Sequence, residues 1–480
     1  MDVDVRFGAF TCIAGANGVG KSNLFDAIRF LSALADLPLN EAALSVRNES
    51  GRASDPCGIF HRVGSQYDET MSFEAEMIVP TEGVDDLGQK AQASINFLRY
   101  AITIAYRSED SLQSPGRLEL VKEELKHIRR GKAGQYLLFP HSAQSWRSSA
   151  LWGERRVPFF ISTEGEGRNR VIKLHQDGGR NGRPLPRSAV NLPRTVLSVS
   201  NAAESPTALL ARLEMRSWRL LQLEPSALRK PDEFTAPNKL RMDGLHLPAT
   251  LYHLARLHQR LNGGNPQVSE SQFYGQLANR LSELMDDVRN IDIDHDEKRE
   301  LLTVRVTGAD GIILPARDLS DGTLRFLALA VLELNPEEQG LLCFEEPENG
   351  IHPERIPAML RLLEDIATDV NQPIGPDNPL RQVIINTHSP AIVGEVPDDS
   401  LLVAELKEMV RGGRRFKRVC FSCLTDTWRA KIVTEKPNVV SKGKLLSYLN
   451  PISRHQEQRH LRVVDRPDLQ ILLPFLSQSK

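Results

Sequence analysis

The chain has 480 residues, 25% of them charged and 40% hydrophobic, and a formal net charge of −2. Such a near-neutral globular composition gives no global basic field of the kind that marks a nucleic-acid-binding protein. The odd number of cysteines, five, argues against a disulfide scaffold and for a reducing compartment. The sequence has neither a signal-peptide pattern nor an apolar stretch of membrane-spanning length, so we expect a cytoplasmic protein without a membrane partner.

The first motif is a glycine-rich loop between a predicted strand and a predicted helix. Residues 15–22 read GANGVGKS, which fits GxxxxGK[ST], after the apolar FTCIAG and before the amphipathic SNLFDAIRFLSAL. Such a loop surrounds nucleotide phosphates with backbone N–H groups at a helix N-terminus, while its lysine reaches the β and γ oxygens and its serine ligates Mg²⁺. A purely structural glycine turn is the alternative. The predicted nucleotide-binding residues are Gly15, Ala16, Asn17, Gly18, Val19, Gly20, Lys21, Ser22 and Asn23, with Ser22 also a metal ligand.

The next 300 residues read as a large insertion. Alternating residues 71–79, 97–107 and 116–125 predict antiparallel strands. Residues 165–193 are rich in Gly, Arg and Asn and predict an exposed loop or an excursion from the sheet, without a core. Apolar residues at helical spacing then predict a short helical arm or lid, and LLTVRV at 301–306 predicts a strand that returns the chain to the core. The arm residues are Leu251, Leu254, Leu257, Leu261, Phe273, Leu277, Leu281, Leu284 and Val288.

Three motifs in the last third of the chain bear on chemistry. LSDGT at 319–323 opens a helix with apolar residues on one face, and a helix N-terminus attracts phosphate. In LLCFEEPENGIHP, Glu345 and Glu346 follow a buried strand, where one carboxylate can hold magnesium and the other can polarise the attacking water. In QVIINTHSP, His388 follows another strand and can contact the γ-phosphate. Considered alone, the two glutamates can equally well cap the end of a strand before a turn. A histidine after a buried strand is more often a structural or loop residue than a catalytic one.

GANGVGKS, LSDGTLRFLALAVLEL, LLCFEEPENGIHP and INTHSP, in this order, resemble the ABC superfamily of ATPases in its SMC/RecF-like branch, including AAA-type ATPases similar to the ATPase part of OLD-family anti-phage proteins. The resemblance implies that Ser320, Asp321 and Gly322 form a signature motif that binds the γ-phosphate held by a second protomer. It also implies an ATP-dependent homodimer. Glu345 stands where relatives have an aspartate, so the resemblance assigns it to magnesium, directly or through water, and assigns Glu346 and His388 to catalysis.

The resemblance implies an α/β fold with an ABC-type P-loop ATPase core, a mixed or antiparallel β subdomain and an inserted helical subdomain. Residues 1–160 and 291–450 form the two parts of the core in this prediction, 161–290 form the loop-rich and helical insertion, and 451–480 form a short tail. Glu348, Asn349 and His352 occupy the loop that contacts the partner protomer in relatives, and a plain Pro-bounded turn is an equal alternative.

Two basic runs and a cysteine pair can be explained by a ligand-binding role or by an ordinary structural role. HIRRGK at 127–132 and RGGRRFKR at 411–418 read as hairpin turns whose cations can meet phosphates, although solvated turns explain them as well. Cys420 and Cys423 form a lone CxxC, for which strand packing is favoured over a zinc site. DNA is therefore a partner by resemblance alone.

The leading functional hypothesis is an ATP-hydrolysing homodimer, using Mg²⁺, that gates a separate effector such as a nuclease or Toprim protein in bacterial anti-phage defence. DNA or a phage component would be the target. The alternative is a RecF-like repair or recombination ATPase that loads partners on DNA, and a nucleotide-locked scaffold is a third interpretation.

Overall fold

A computed structural model describes residues 2–47, 56–64, 66–107, 116–177, 184–262, 266–285, 288–411, 414–431, 438–441, 443 and 445. The chain divides into two compact units, Met1–Val440 and Ser441–Lys480. The elements that follow all belong to the first unit. The tail at 451–480, residues 178–183 of the glycine-rich segment, the side chain of Leu261 and residues 412–413 of the second basic run lie outside the described part of the chain.

Strands are spread along the chain. In order they are β1 (Phe10–Ala14), β2 (Arg62–Val63), β3 (Gln66–Tyr67), β4 (Thr70–Ile78), β5 (Glu82–Val84), β6 (Lys90–Gln92), β7 (Phe97–Arg107), β8 (Arg117–His127), β9 (Phe159–Glu164), β10 (Val171–Leu174), β11 (Leu185–Ser188), β12 (Arg219–Leu221), β13 (Asp232–Glu233), β14 (Val288–Asp296), β15 (Leu301–Gly308), β16 (Ile313–Pro315), β17 (Gly340–Glu345), β18 (Arg381–Thr387), β19 (Leu401–Arg411), β20 (Arg414–Leu424) and β21 (Val439–Val440).

The helices, also in chain order, are α1 (Lys21–Leu34), α2 (Leu39–Arg47), α3 (Trp146–Ala150), α4 (Pro206–Ser217), α5 (Pro225–Leu228), α6 (Leu247–Asn262), α7 (Pro266–Ser282), α8 (Asp321–Leu334), α9 (Ile356–Ile366) and α10 (Pro390–Glu395). Helix α1 follows β1 across the glycine-rich loop, as the sequence predicts. None of the helices in the described residues is long and apolar enough to cross a membrane.

The main sheet has seven strands in the order β12-β17-β18-β1-β19-β20-β21. The first five of these run parallel, and β20 is antiparallel to β19. Strand β1 is buried throughout, and β17 is buried up to its last residue, as expected for strands covered on both faces. Because the carboxyl ends of parallel strands share one edge, the segments after β12, β17, β18 and β1 meet there.

Helix α1 lies between the main sheet and a second sheet. Leu24 and Phe25 join the hydrophobic cluster of the main sheet, whereas Phe30, Leu31 and Leu34 join the cluster of the second sheet. The helix therefore buries apolar residues in two directions. Its N-terminus lies at the carboxyl edge of the main sheet, because the helix follows β1 across the glycine-rich loop.

The second sheet is antiparallel, with the order β11-β10-β9-β8-β7-β4. The three strands predicted at 71–79, 97–107 and 116–125 are confirmed as β4, β7 and β8. The prediction of an exposed loop or an excursion from the sheet at 165–193, without a core, is wrong, because β10 and β11 lie in this segment and belong to the second sheet. Ile172 and Leu174 of β10 are buried. The short run VIKL alternates inward and outward, and pairing with β9 completes its hydrogen bonds.

A third sheet contains β13, β14, β15 and β16. The helices α6 and α7 pack against it and confirm two predicted helices, but α7 ends at Ser282 and Val288 begins a strand instead. The predicted strand LLTVRV is confirmed as β15, which pairs with β13, β14 and β16 in this third sheet and not with a strand of the main sheet. The helical arm thus carries a sheet of its own.

The α/β class with a P-loop core, an antiparallel subdomain and an inserted helical part is confirmed. The four-part division of the chain stays a prediction, but α4 and β12, inside the segment 161–290 that the sequence assigns to the insertion, belong with the core. Strand β12 pairs with β17, and α4 packs against α1 and β17. The segment RLL, with two apolar residues, is too short to be predicted as a core strand.

The structure gives a separate outcome for each basic run and for the cysteine pair. HIRRGK does not form a hairpin turn, since it spans the end of β8 and the start of the 3-10 helix Arg130–Gln135. Within RGGRRFKR, Arg411 of β19 pairs with Arg414 of β20, and the predicted turn at 412–413 lies outside the described residues. Cys420 and Cys423 are both buried in β20.

Candidate functional site

A cavity of about 570 Å³ opens at the carboxyl edge of the parallel strands. The glycine-rich loop, the carboxylates after β17 and the end of β18 all line it, so the structure brings together motifs that lie more than 360 residues apart. Its lining includes Asn17, Gly18, Gly20, Lys21, Ser22, Asn23, Glu345, Glu346 and Asn386. Its size matches that of small-molecule and cofactor sites. The predicted signature residues Ser320, Asp321 and Gly322 are not part of this lining.

The glycine-rich loop has the backbone shape that phosphate binding requires. Gly18 and Gly20 have φ angles of 77° and 98°, in the left-handed region that glycine adopts without strain. Gly20 is the N-cap of α1, and the first helical residues, Lys21 and Ser22, whose N–H groups have no acceptor within the helix, line the cavity. A Cβ on Gly15 would lie 2.9 Å from the Ala404 carbonyl oxygen, which leaves no space for a larger residue there.

Lys21 is folded back into the loop. Its Nζ donates to the carbonyl oxygens of Gly15 at 2.6 Å and of Ala16 at 3.1 Å. Burial lowers the pKa of Lys21, and the negative charges of Glu346, Glu348 and Glu345 counteract part of that effect. An ammonium group held by two carbonyls in a glycine-lined concavity fits an anionic ligand, because phosphate oxygens can replace those neutral acceptors with charged ones.

Glu345 is the last residue of β17, and the side chain of Asn386 holds it. Asn386 lies opposite Glu345 on β18, and its Nδ2 donates to Glu345 Oε1 at 3.3 Å. The exposed Ser22 and the half-buried Glu345 both line the cavity and offer oxygen donors. Magnesium commonly uses one or two protein oxygens together with phosphate oxygens and waters, so this donor set fits the ion. In the described residues, no cluster of three His, Cys, Asp or Glu side chains forms a separate metal cage.

Glu346 has a strained backbone and a directed carboxylate. Its φ angle is 45°, which is unusual for a residue with a side chain, and its N–H donates both to the backbone oxygen and to Oδ1 of Asn386, each at 3.1 Å. Its Oε1 lies 2.7 Å from His388 Nδ1, and its Oε2 accepts from Asn349 Nδ2 at 3.1 Å. Burial works against ionisation, but hydrogen bonds from Asn349 and His388, together with the charges of His388 and Lys21, lower the pKa of Glu346.

Glu348 points into the protein. It is 8% exposed, its Oε1 accepts from the Thr387 hydroxyl, and its Oε2 has no hydrogen-bond partner among the described residues. Burial raises the pKa of Glu348. Thr387 also accepts from Gly15 N–H through its backbone oxygen, so Glu348 supports the junction of β18 with the glycine-rich loop. Asn349 and His352, its neighbours in the same loop, are exposed.

The signature segment forms the start of α8. Ser320 is its N-cap, with Oγ accepting from Thr323 N–H at 3.1 Å, and Asp321 pairs with Arg229 at 2.6 Å. A Cβ on Gly322 would lie only 2.4 Å from the Gly350 carbonyl oxygen. Glycine is therefore required at 322 by packing within the chain, whatever ligand the helix start meets.

The sequence analysis missed several residues of the cavity: Gln222, Glu224, Arg325 and Asn386. Gln222 follows the three-residue strand β12, and that strand was not predicted. Arg325 had a readable signal, because it is a lone cation in the long apolar run of α8. Asn386 precedes the TH pair at the end of β18, where strand pairing aligns it with Glu345.

Comparisons with solved structures give low similarity. The Smc head bound to the C-winged helix domain of ScpA is 12% identical, with a TM-score of 0.38 over 87% of this chain and 92% of that chain. An Smc head domain with an extended coiled coil, bound to the C-terminal domain of ScpA and derived from Pyrococcus furiosus, is 13% identical, with a TM-score of 0.37 over 88% and 92%. The SMC head domain from Thermotoga maritima is 12% identical, with a TM-score of 0.29 over 86% and 91%. None of the site assignments depends on these values.

No curated protein matches the chain. One family does, under the description "AAA domain, putative AbiEii toxin, Type IV TA system", and it covers residues 10–84 and 185–394. The matched segments contain the glycine-rich loop, the signature, both carboxylates and His388, and they make up more than half of the chain. The match confirms the prediction, made from the motifs, that the chain is a P-loop ATPase. The chain belongs to this family of AAA-domain proteins.

Proposed function

We propose that the protein binds ATP with Mg²⁺ in the cavity at the carboxyl edge of the main sheet and hydrolyses it. The observation that carries the proposal is the position of Glu346. Its carboxylate is held between His388 and Asn349 and lines the same cavity as Lys21 and Ser22. A fixed, ionised carboxylate facing a phosphate-binding loop is suited to polarise a water for attack on the γ-phosphate.

Each residue has a role in this proposal. The N–H groups from Ala16 to Ser22 bind the phosphates, because those of Gly15 and Asn23 already donate to backbone carbonyls. Lys21 moves from its two carbonyl acceptors to the β and γ oxygens. Ser22 and Glu345 would hold magnesium, whose contribution is to neutralise charge on those oxygens. Glu346 orients the water, and His388, 2.7 Å from Glu346, is placed to contact the γ-phosphate.

The proposal extends to a switch. Ser320, Asp321 and Gly322 lie outside the lining of the protomer's own cavity, and the start of α8 carries a capped N-terminus with partial positive charge. A second protomer bound head to tail would present its nucleotide to this N-terminus. ATP binding then closes the homodimer and hydrolysis reopens it, provided that ATP binds the closed form more tightly. We propose that this switch gates a separate effector, such as a nuclease or Toprim protein, in cytoplasmic anti-phage defence. The family description, which names a toxin of a toxin–antitoxin system, supports a role of this kind.

Hydrolysis and dimerisation are tested with matched variants. Lys21→Ala is expected to abolish ATP binding, whereas Glu346→Gln is expected to keep binding and to lose about 100-fold or more in kcat, as general bases do. Glu224→Gln is the control, because Glu224 lines the same cavity as Glu346. Equal activity of Glu346→Gln and Glu224→Gln would refute the role of Glu346.

Light scattering tests the switch. The mass of Glu346→Gln is expected to double with ATP and Mg²⁺, and Lys21→Ala is expected to keep its nucleotide-free mass. Co-elution of the product of an adjacent gene with the ATP-bound form would identify the effector. An unchanged mass for Glu346→Gln at saturating ATP would contradict ATP-dependent dimerisation.

A RecF-like repair ATPase that binds DNA is the second candidate, and the hairpin of β19 and β20 favours it. Arg415 and Lys417 are exposed near the end of this hairpin, where cations can meet a phosphate backbone. DNA binding that weakens with salt in wild type and is lost in Arg415→Ala/Lys417→Ala would support this candidate. Unaltered binding in the double variant would exclude the hairpin.

A further inference from the structure

Arg325 connects the signature helix to both loops that flank the cavity. It lines the cavity, its Nε donates to the Leu223 carbonyl at 3.0 Å, and its Nη1 donates to the Asn349 carbonyl. Leu223 belongs to the segment after β12, and Asn349 belongs to the loop after β17. One guanidinium on α8 therefore joins three separate segments at one point.

The start of α8 and the loop after β17 are also in direct contact. Gly322 approaches the Gly350 carbonyl oxygen so closely that a Cβ would be 2.4 Å away, and Gly350 has a φ angle of 79°. A packed contact of this kind does not allow one partner to slide past the other. We expect the first turn of α8 and residues 349–351 to move together.

Asn349 continues the connection toward Glu346. Its side-chain Nδ2 donates to Glu346 Oε2 at 3.1 Å, and its backbone N–H donates to the Glu346 carbonyl at 3.1 Å. The exposed position of Asn349 offers its side chain little packing support, so its backbone hydrogen bonds, accepted from Arg325 and donated to Glu346, hold it in place. An unbroken path of contacts thus runs from Arg325 through Asn349 to the carboxylate of Glu346.

We propose that Arg325 is a positioning residue that couples the position of the signature helix to the carboxylate of Glu346. This inference rests on the proposed function, in which Glu346 orients the attacking water. When Ser320 engages a ligand and α8 shifts, Arg325 carries the Asn349 carbonyl with it, and the Asn349 amide moves the Glu346 carboxylate. Arg325 acts through Asn349 in this scheme, because its Nε and Nη1 are held by the Leu223 and Asn349 carbonyls. The arrangement makes hydrolysis respond to what the start of α8 binds.

The first test separates positioning from nucleotide binding. Arg325→Met keeps much of the side-chain length and removes both donors, and we expect its ATP affinity to stay within about twofold of wild type while kcat falls by about tenfold or more. Arg317→Ala is the matched control, because Arg317 is 80% exposed and its ion pair with Asp318 is long, at 3.8 Å. Weaker ATP binding with unchanged kcat would overturn the proposal, and so would wild-type values for both constants.

A double-variant cycle tests the path through Asn349. Residues that act through one chain of contacts are non-additive, so Arg325→Met/Asn349→Ala is expected to be no slower than the worse single variant. Multiplied losses would show independent action and would refute the coupling. Arg325→Lys keeps the charge but cannot reach both carbonyls, and we expect it to recover a part of kcat, which covers the case in which Arg325→Met does not fold.

Hydrogen exchange gives a readout that does not depend on hydrolysis. In wild type, nucleotide binding is expected to protect the amides of residues 320–324 as well as those of the glycine-rich loop. In Arg325→Met we expect protection of the loop alone. Equal protection of 320–324 in both proteins would overturn the coupling. Absence of ATPase activity in wild type would instead count against the proposed function and leave this comparison valid.

Discussion

Asn386 allows a specific prediction, because its side chain contacts both Glu345 and Glu346. Its side chain donates to Glu345 and accepts from the N–H of Glu346, and it is 3% exposed. Asn386→Ala removes both contacts, but the Glu346 N–H keeps the Asn386 backbone oxygen at 3.1 Å and is not left unsatisfied. The main loss is therefore the hydrogen bond to the charged Glu345, which is worth about 1.5–3 kcal/mol.

If that energy is needed to hold the site in its reactive arrangement, kcat falls by roughly 10- to 150-fold, at 1.36 kcal/mol per factor of ten. ATPase rates at saturating ATP, measured over a series of Mg²⁺ concentrations, give kcat and the magnesium requirement together. Gln382→Ala is the control, because Gln382 is on the same strand and its amide donates to Gly8 O at 2.8 Å, away from the cavity lining. A kcat for Asn386→Ala within twofold of the control, with the same magnesium requirement, would refute the reasoning.

Three further predictions concern stability. Burial raises the pKa of Glu214 from 4.5 to about 7, despite the hydrogen bond from Trp218. The protonated carboxyl group therefore contributes its full stability to the fold below about pH 4.5. This contribution, on the order of 3 kcal/mol, is lost as pH rises through 7. Urea unfolding at pH 5 and pH 8 should show a smaller difference in Glu214→Gln, and an equal difference would contradict the assignment. Gly322→Ala should lower the unfolding temperature of the nucleotide-free protein, because the added Cβ would clash with the Gly350 carbonyl oxygen and overpacking costs about 1–3 kcal/mol. An unchanged unfolding temperature would show that this clash does not occur. Arg381→Met should cost about 2–4 kcal/mol in urea unfolding, since the guanidinium donates to three backbone carbonyls at the end of α8 that would become unsatisfied, and a loss below 1 kcal/mol would show that water replaces it.

The motifs could be identified from the sequence because each one is defined by a few consecutive residues. GANGVGKS fixes its own loop shape, and a strand before it and a helix after it follow from apolar spacing over a few residues. The pairs of residues that complete the site were not readable. Asn386 meets Glu345 only because β17 and β18 pair in one particular register, and no pattern within either segment states that register.

The errors have physical causes as well. Val288 fits the helical spacing that continues from Leu284, but it starts β14, whose pairing with β15 is irregular between Val288 and Asn290. The irregularity places Val288 outside the regular alternation, which starts only at Ile291. The glycine-rich segment at 165–193 was misread because four-residue strands such as β10 carry too few positions for a period to emerge, and the pairing with β9 decides their structure.

The position of α1 has a consequence for how this chain unfolds. One end of the helix contributes Leu24 and Phe25 to the cluster of the main sheet, and the other contributes Phe30 and Leu31 to that of the antiparallel sheet. Removal of either sheet would expose half of the helix that begins with Lys21. The two layers should therefore melt in a single transition, and a bound nucleotide should raise the melting temperature of both by the same amount.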